Sequence, residues 1–74
     1  IDYDLPRGGS IDLTIFDLMG RRIRTLVHGN QKPGFKSVIW DATDDFARPV
    51  SAGLYFYKLE TLHRSFTKKM LLLK

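Results

Sequence analysis

The sequence predicts an all-β domain, an antiparallel sandwich of about seven short strands. Three observations carry that expectation. Apolar and polar residues alternate over short runs rich in Val, Ile, Leu, Thr and aromatics, the period of a half-buried strand. Clusters of Gly, Pro, Asn and Asp punctuate those runs at intervals of roughly eight to twelve residues, as in sandwiches. No stretch sustains a 3.6-residue period with helix caps.

Taken in order, Ile1 to Leu5 alternates apolar and acidic residues, with Ile1, Tyr3 and Leu5 inward. Pro6 ends that strand because proline has no ladder N–H, and Arg7-Gly8-Gly9-Ser10 turns the chain. Ile11 to Phe16 is the second strand, with Ile11, Leu13 and Ile15 on one face. Asp17-Leu18-Met19-Gly20 reads as a hairpin connection with Gly20 free to take positive φ. Arg21 to Val27 follows, with Arg22 and Arg24 outward, Ile23 inward, and a bulge needed to cover both Leu26 and Val27. His28 to Gly34 reads as a polar loop, and Phe35 to Trp40 as a fourth strand anchored by the only tryptophan. Residues 41 to 49 form the longest irregular stretch, and Val50 adds a short strand. Leu54 to Thr61 and Ser65 to Leu73 form the final hairpin around Leu62-His63-Arg64.

The strand after Ser51-Ala52-Gly53 organises the rest. Aromatics at 55, 56 and 57 supply both of its faces, as in a central strand covered on each side. Gly53-x-Tyr55-x-Tyr57 has the spacing of a tyrosine corner, in which a Tyr after a tight bend ties its hydroxyl back to the backbone. This makes the sandwich immunoglobulin-like, with Trp40, Gly53, Tyr55 and Tyr57 as its structural signature.

At 74 residues the chain is one domain, small enough that burial gives only modest stability. With no cysteine it has neither disulfides nor thiol chemistry. It opens at Ile1 without a methionine, so we expect a piece of a longer secreted protein. The longest aliphatic run, Met70 to Leu73, is far below the ~20 residues of a membrane helix, and no membrane insertion is expected. The net charge of +4 is uneven. Residues 1–20 set four aspartates against Arg7 alone, whereas residues 58–74 set five basic residues against Glu60. Such a field suits an anionic partner, but lysines also keep sheet edges soluble.

Catalysis is not expected. His28 and His63 sit in separate turns without further zinc ligands, no nucleophile elbow is present, and Glu60 has no carboxylate partner. Asp41, Asp44 and Asp45 form the only acidic cluster and a weak calcium candidate. Phe46 stands where a calcium loop needs glycine, and no bidentate glutamate follows. The alternative is an Asx-turn loop. No cofactor is expected. Arg21-Arg22-Ile23-Arg24 and Lys68-Lys69 are basic, yet the aromatics that a nucleic-acid platform would interleave with them are committed to the core. Lys68-Lys69-Met70-Leu71-Leu72-Leu73-Lys74 reads two ways. It is an ordinary strand with charged gatekeepers, or a terminal signal that a partner grips by adding a strand or clasping the end.

Six motifs in order carry a resemblance: Ile1-x-Tyr3-x-Leu5-Pro6; Leu13-x-Ile15-Phe16-Asp17-x-x-Gly20-Arg21-x-Ile23; Thr25-Leu26-Val27; Pro33-Gly34-Phe35 leading to Trp40-Asp41; Ser51 to Leu59; and Thr67 to Lys74. Together they resemble the C-terminal sorting domain of the type 9 secretion system and the related immunoglobulin-like domain of flagellar hook-cap proteins. Ala42 and Ala47 depart from that pattern, standing where the family has glycine.

The resemblance implies a non-catalytic address on a larger cargo, recognised in the periplasm and passed through the outer membrane to the cell surface or beyond. Its partners would be the outer-membrane translocon and associated shuttle or sortase-like proteins. Lys68, Lys69, Met70, Leu71, Leu72, Leu73 and Lys74 match the family's terminal recognition motif. A structural spacer or hook-cap-like assembly module is the alternative. A carbohydrate-binding accessory domain is a remote third and would need Trp40 and Tyr57 exposed. A strand-swapped dimer of the isolated domain is also open.

Overall fold

The computed structural model describes residues 1–73. Among these residues six strands are formed and no helix: β1 (Asp2–Leu5), β2 (Gly9–Asp17), β3 (Arg22–Gln31), β4 (Gly34–Ser37), β5 (Gly53–Thr61) and β6 (Ser65–Leu72). They make a two-stranded sheet, β1-β4, and a four-stranded sheet ordered β3-β2-β5-β6, antiparallel throughout. The fold is the all-β, immunoglobulin-like sandwich that the alternating pattern predicts.

The core lies between the sheets. Ile11, Leu13 and Ile15 alternate along β2 and are buried to 2% exposure or less. Tyr3 and Leu5 from β1 and Leu59 from β5 close over Ile11 and Leu13, with Leu26, Val27, Val38 and Tyr57 packed around them. The small sheet is too narrow to cover the whole inner face. Beyond it Trp40 stacks edge-on against Tyr55, with ring centroids 5.2 Å apart.

Several expected elements differ. The expected polar loop from His28 onward is instead the end of β3, with Gly29 opposite Ile11 and Gln31 opposite Gly9. Turn-forming residues yield there because the facing β2 backbone needs partners. β4 stops at Ser37, so Trp40 lies outside the strand expected over 35–40. Val50 forms no strand; an isolated bridge joins Thr43 to Pro49 instead, and a proline cannot propagate a ladder. The loss of the Val50 strand alone reduces the expected seven to six among the described residues.

The bulge expected at Leu26-Val27 is present. Leu13 pairs with Val27 and Thr14 with Thr25, leaving Leu26 over. A second bulge leaves Ile23 over, so Ile15 pairs with Arg24 and Phe16 with Arg22. Cross-strand partners share a face, so Arg22 and Arg24 lie on opposite faces and do not point out together. The expectation that the organising strand is covered on both faces is also corrected. Phe56 pairs with Phe16 on the outer face of the large sheet, where both are only half-buried and no second layer lies over them among the described residues.

Candidate functional site

The bend before β5 is tied as the Gly-x-Tyr-x-Tyr spacing requires. The Tyr55 hydroxyl donates to the Ser51 carbonyl at 2.6 Å. Gly53 holds φ 146° at the strand's first residue, a value in the region that disfavours a side chain. Tyr57 packs against the core cluster from the same face. Trp40 is half-buried, and its indole N–H donates to the Thr43 carbonyl at 2.8 Å. Neither Trp40 nor Tyr57 is displayed as a sugar platform would need, and the carbohydrate-binding reading loses its support.

Asp41, Asp44 and Asp45 do not converge. The Thr43 hydroxyl donates to Asp41 at 2.5 Å, with Arg24 at 3.6 Å. Asp44 accepts from the backbone N–H groups of Phe46 and Arg48 at 2.9 and 3.0 Å and pairs with the Arg48 guanidinium. Asp45 accepts from the Thr25 N–H at 2.9 Å and lies 3.6 Å from Arg22. Among the described residues no group of three or more His, Cys, Asp or Glu is placed to hold a metal ion, and the calcium candidate is set aside. The cluster is a lock on the edge of β3. The Asp45 N–H donates to the Ile23 carbonyl at 2.9 Å, and Arg24 reaches both Thr43 and the Asp44 carbonyl.

Those hydrogen bonds set the titration of the loop. The Arg48 backbone N–H holds the Asp44 carboxyl below the ordinary aspartate range. The Thr43 hydroxyl does the same for Asp41, and the Arg21 backbone N–H for Asp17. The basic run at 21–24 is thereby consumed. Arg21 pairs with Asp17 at 2.9 Å, Arg22 with Asp45, and Arg24 with the loop. His28 pairs with Asp12 on the outer face of the large sheet, and His63 sits in the β5–β6 turn.

Lys68 to Leu72 of the terminal motif lie in β6, one of the two edge strands of the large sheet; the strand stops short of the expected end at Leu73, which lies just beyond it. Its register with β5 runs without interruption from Glu60↔Ser65 to Gly53↔Leu72. Phe66, Lys68, Met70 and Leu72 share the inner face with Leu59, Tyr57 and Tyr55; Lys69 and Leu71 lie on the other face with Phe56 and Leu54. The small sheet does not extend over this strand, leaving Phe66 49% exposed on the inner face, and Leu71 is 60% exposed on the outer face. Among the described residues neither Lys68 nor Lys69 has an acidic partner. Lys74, the last residue of the motif, lies outside the described residues.

A family model described as the FlgD Ig-like domain matches residues 1–65. The chain belongs to the FlgD Ig-like domain family. No curated protein matches it, and neither does any solved structure. The match supports the relation to hook-cap immunoglobulin-like domains and ends where β6 begins. Sequence reasoning missed the edge lock by Asp45, since nothing local in Asp44-Asp45 signals a partner some twenty positions upstream. The alternation of charge between Arg22/Arg24 and Asp41/Asp44/Asp45 was the available signal.

Proposed function

We propose that the chain is a non-catalytic C-terminal sorting domain. It directs a larger secreted parent across the outer membrane through the type 9 secretion system, from the periplasm to the cell surface or beyond. The translocon and its associated shuttle or sortase-like proteins recognise the folded sandwich and its last strand. The observation that carries this reading is β6 itself. It is a regular, basic and partly apolar strand on an open sheet edge, and residues 66–73 lie beyond the span that the hook-cap-related family model matches. A core-only strand would bury its aromatic and leave its edge covered or short; Phe66 is half-exposed on a strand of eight residues.

A second reading, a structural spacer or hook-cap-like assembly module, draws on the family match. A secretion assay separates the two. Residues 1–74 are fused to the C-terminus of a periplasmic fluorescent reporter in a bacterium with a type 9 system. Export of the wild-type fusion, together with retention of a folded Lys68→Glu/Lys69→Glu fusion, is the expected result. Retention of both, with the wild-type domain folded, refutes the sorting role and leaves the assembly module.

A further inference from the structure

The two edges of the large sheet are treated differently. β3 carries two bulges, and its Ile23–Thr25 segment is closed by an acidic stretch of the same chain. Asp45 bonds the Ile23 carbonyl through its N–H and the Thr25 N–H through its carboxylate, while Asp41, Asp44 and Asp45 face Arg22 and Arg24. Bulging and covering are the usual ways of disabling an edge. β6 has neither. Its register is unbroken over eight pairs, and among the described residues its only strand neighbour is β5.

The backbone groups left open on β6 follow from the turn. The Thr61 N–H donates to the Arg64 carbonyl at 2.8 Å, so Thr61 and Arg64 are a hydrogen-bonded pair. Hydrogen-bonded and non-hydrogen-bonded pairs alternate in an antiparallel ladder. Phe66, Lys68, Met70 and Leu72 therefore spend their backbone groups on β5. Ser65, Thr67, Lys69 and Leu71 direct theirs outward.

We infer that β6 accepts an added strand from an acidic extended segment of another protein, which closes this edge as the Asp41–Asp45 stretch closes β3. The charge pattern selects that occupant. Lys68 on the inner face and Lys69 on the outer face are adjacent, so a paired strand meets them with two adjacent side chains. Acidic residues there turn both lysines into cross-strand attractions, whereas a basic strand, including a second copy of β6, meets repulsion. Apolar or β-branched residues on either side would cover Phe66 and Met70 on the inner face and Leu71 on the outer. Strand addition of this kind takes affinity from main-chain bonds and specificity from alternating side chains. The inference rests on the reading that the final strand is recognised, and it names the chemistry of what recognises it.

The test uses the 74-residue chain and two capped eight-residue peptides of valine and threonine, one with a central pair of glutamates and one with a central pair of lysines. Amide hydrogen exchange is followed by NMR. The glutamate peptide is expected to slow exchange at Thr67, Lys69 and Leu71, and to bind about tenfold more tightly than the lysine peptide at low salt. The Lys68→Glu/Lys69→Glu chain should reverse that preference. Thr67→Pro removes one outward N–H and leaves the β5 ladder intact, so a folded Thr67→Pro chain should lose binding. Equal binding of the two peptides, undiminished binding by folded Thr67→Pro, or protection that appears without peptide as protein concentration rises would each overturn the proposal. Peptide binding is read without any secretion host, so a failure of the sorting role in the reporter assay is seen separately.

Discussion

The protein uses one turn twice, and the two copies differ at the residue that matters. In Asp17-Leu18-Met19-Gly20-Arg21 the Asp17 carboxylate accepts from the Met19 and Arg21 N–H groups, both at 2.9 Å, and pairs with the Arg21 Nε at 2.9 Å. In Asp44-Asp45-Phe46-Ala47-Arg48 the corresponding distances are 2.9, 3.0 and 3.0 Å. The fourth residue takes a left-handed conformation in each, φ 80° at Gly20 and 61° at Ala47. An L-residue with a Cβ loses roughly 1–2 kcal/mol there. Glycine avoids that cost but gives back about 0.4–1 kcal/mol through the greater freedom of its unfolded chain. Ala47→Gly should therefore stabilise the domain by about 0.8 kcal/mol, and Gly20→Ala should destabilise it by a similar amount. For a domain of this size the corresponding shifts in Tm are about 3–6 °C, up and down respectively. Ala42, at φ 63°, should respond to glycine in the same direction. Urea unfolding followed by Trp40 fluorescence, with thermal melts by circular dichroism, reads all three. A Gly20→Ala loss without any Ala47→Gly gain would refute the reasoning, because it would mean that Ala47 is not held against its intrinsic preference.

Other perturbations test other parts of the structure. Leu13→Ala, at a fully buried site, should cost about 2–5 kcal/mol in urea unfolding, a large share of the ~4–11 kcal/mol expected of a domain this small. Tyr55→Phe removes only the bond to Ser51 and should cost about 1 kcal/mol with the fold intact; no change in midpoint would deny the corner its stabilising role. Acid should weaken the fold through Asp17, Asp41 and Asp44, whose carboxyls titrate below their ordinary range when folded. Their contribution is complete above the unfolded aspartate value of about 3.9 and is lost as pH falls below it through the folded values. The Asp17→Asn/Asp44→Asn double variant should show a shallower fall of Tm between about pH 4 and about pH 2, and an unchanged slope there would remove those carboxylates from the acid response.

Where the sequence was legible, the reason is local. The alternation in β2 and β5, the Gly20 hairpin and the Leu26-Val27 bulge each follow from side chains within one strand or turn. Tyr55 was legible because its partner, Ser51, is four residues away. The elements misjudged were those decided by distant partners. His28 to Gln31 has the composition of a loop, yet Gly9 to Asp12 pairs with it. Trp40 has the composition of a strand residue, yet it is held by Thr43 and Tyr55 outside any strand. The acidic cluster resembled a cation loop because composition does not reveal that Arg22, Arg24 and the Thr25 N–H wait twenty residues upstream.

The final strand shows the same limit in a sharper form. Lysines beside an apolar run protect an edge from its own kind and also select a partner of opposite charge, and one sequence serves both ends. The structure adds an asymmetry that composition cannot hold. An edge protected only against aggregation needs no regularity; bulges and an intramolecular cover suffice, as β3 demonstrates. β6 keeps an even register, outward backbone groups at every second residue and a half-exposed Phe66, features that favour pairing rather than prevent it. Lysine on such a strand restricts which strand can join it. On the sorting proposal, those same features are what a partner strand would use.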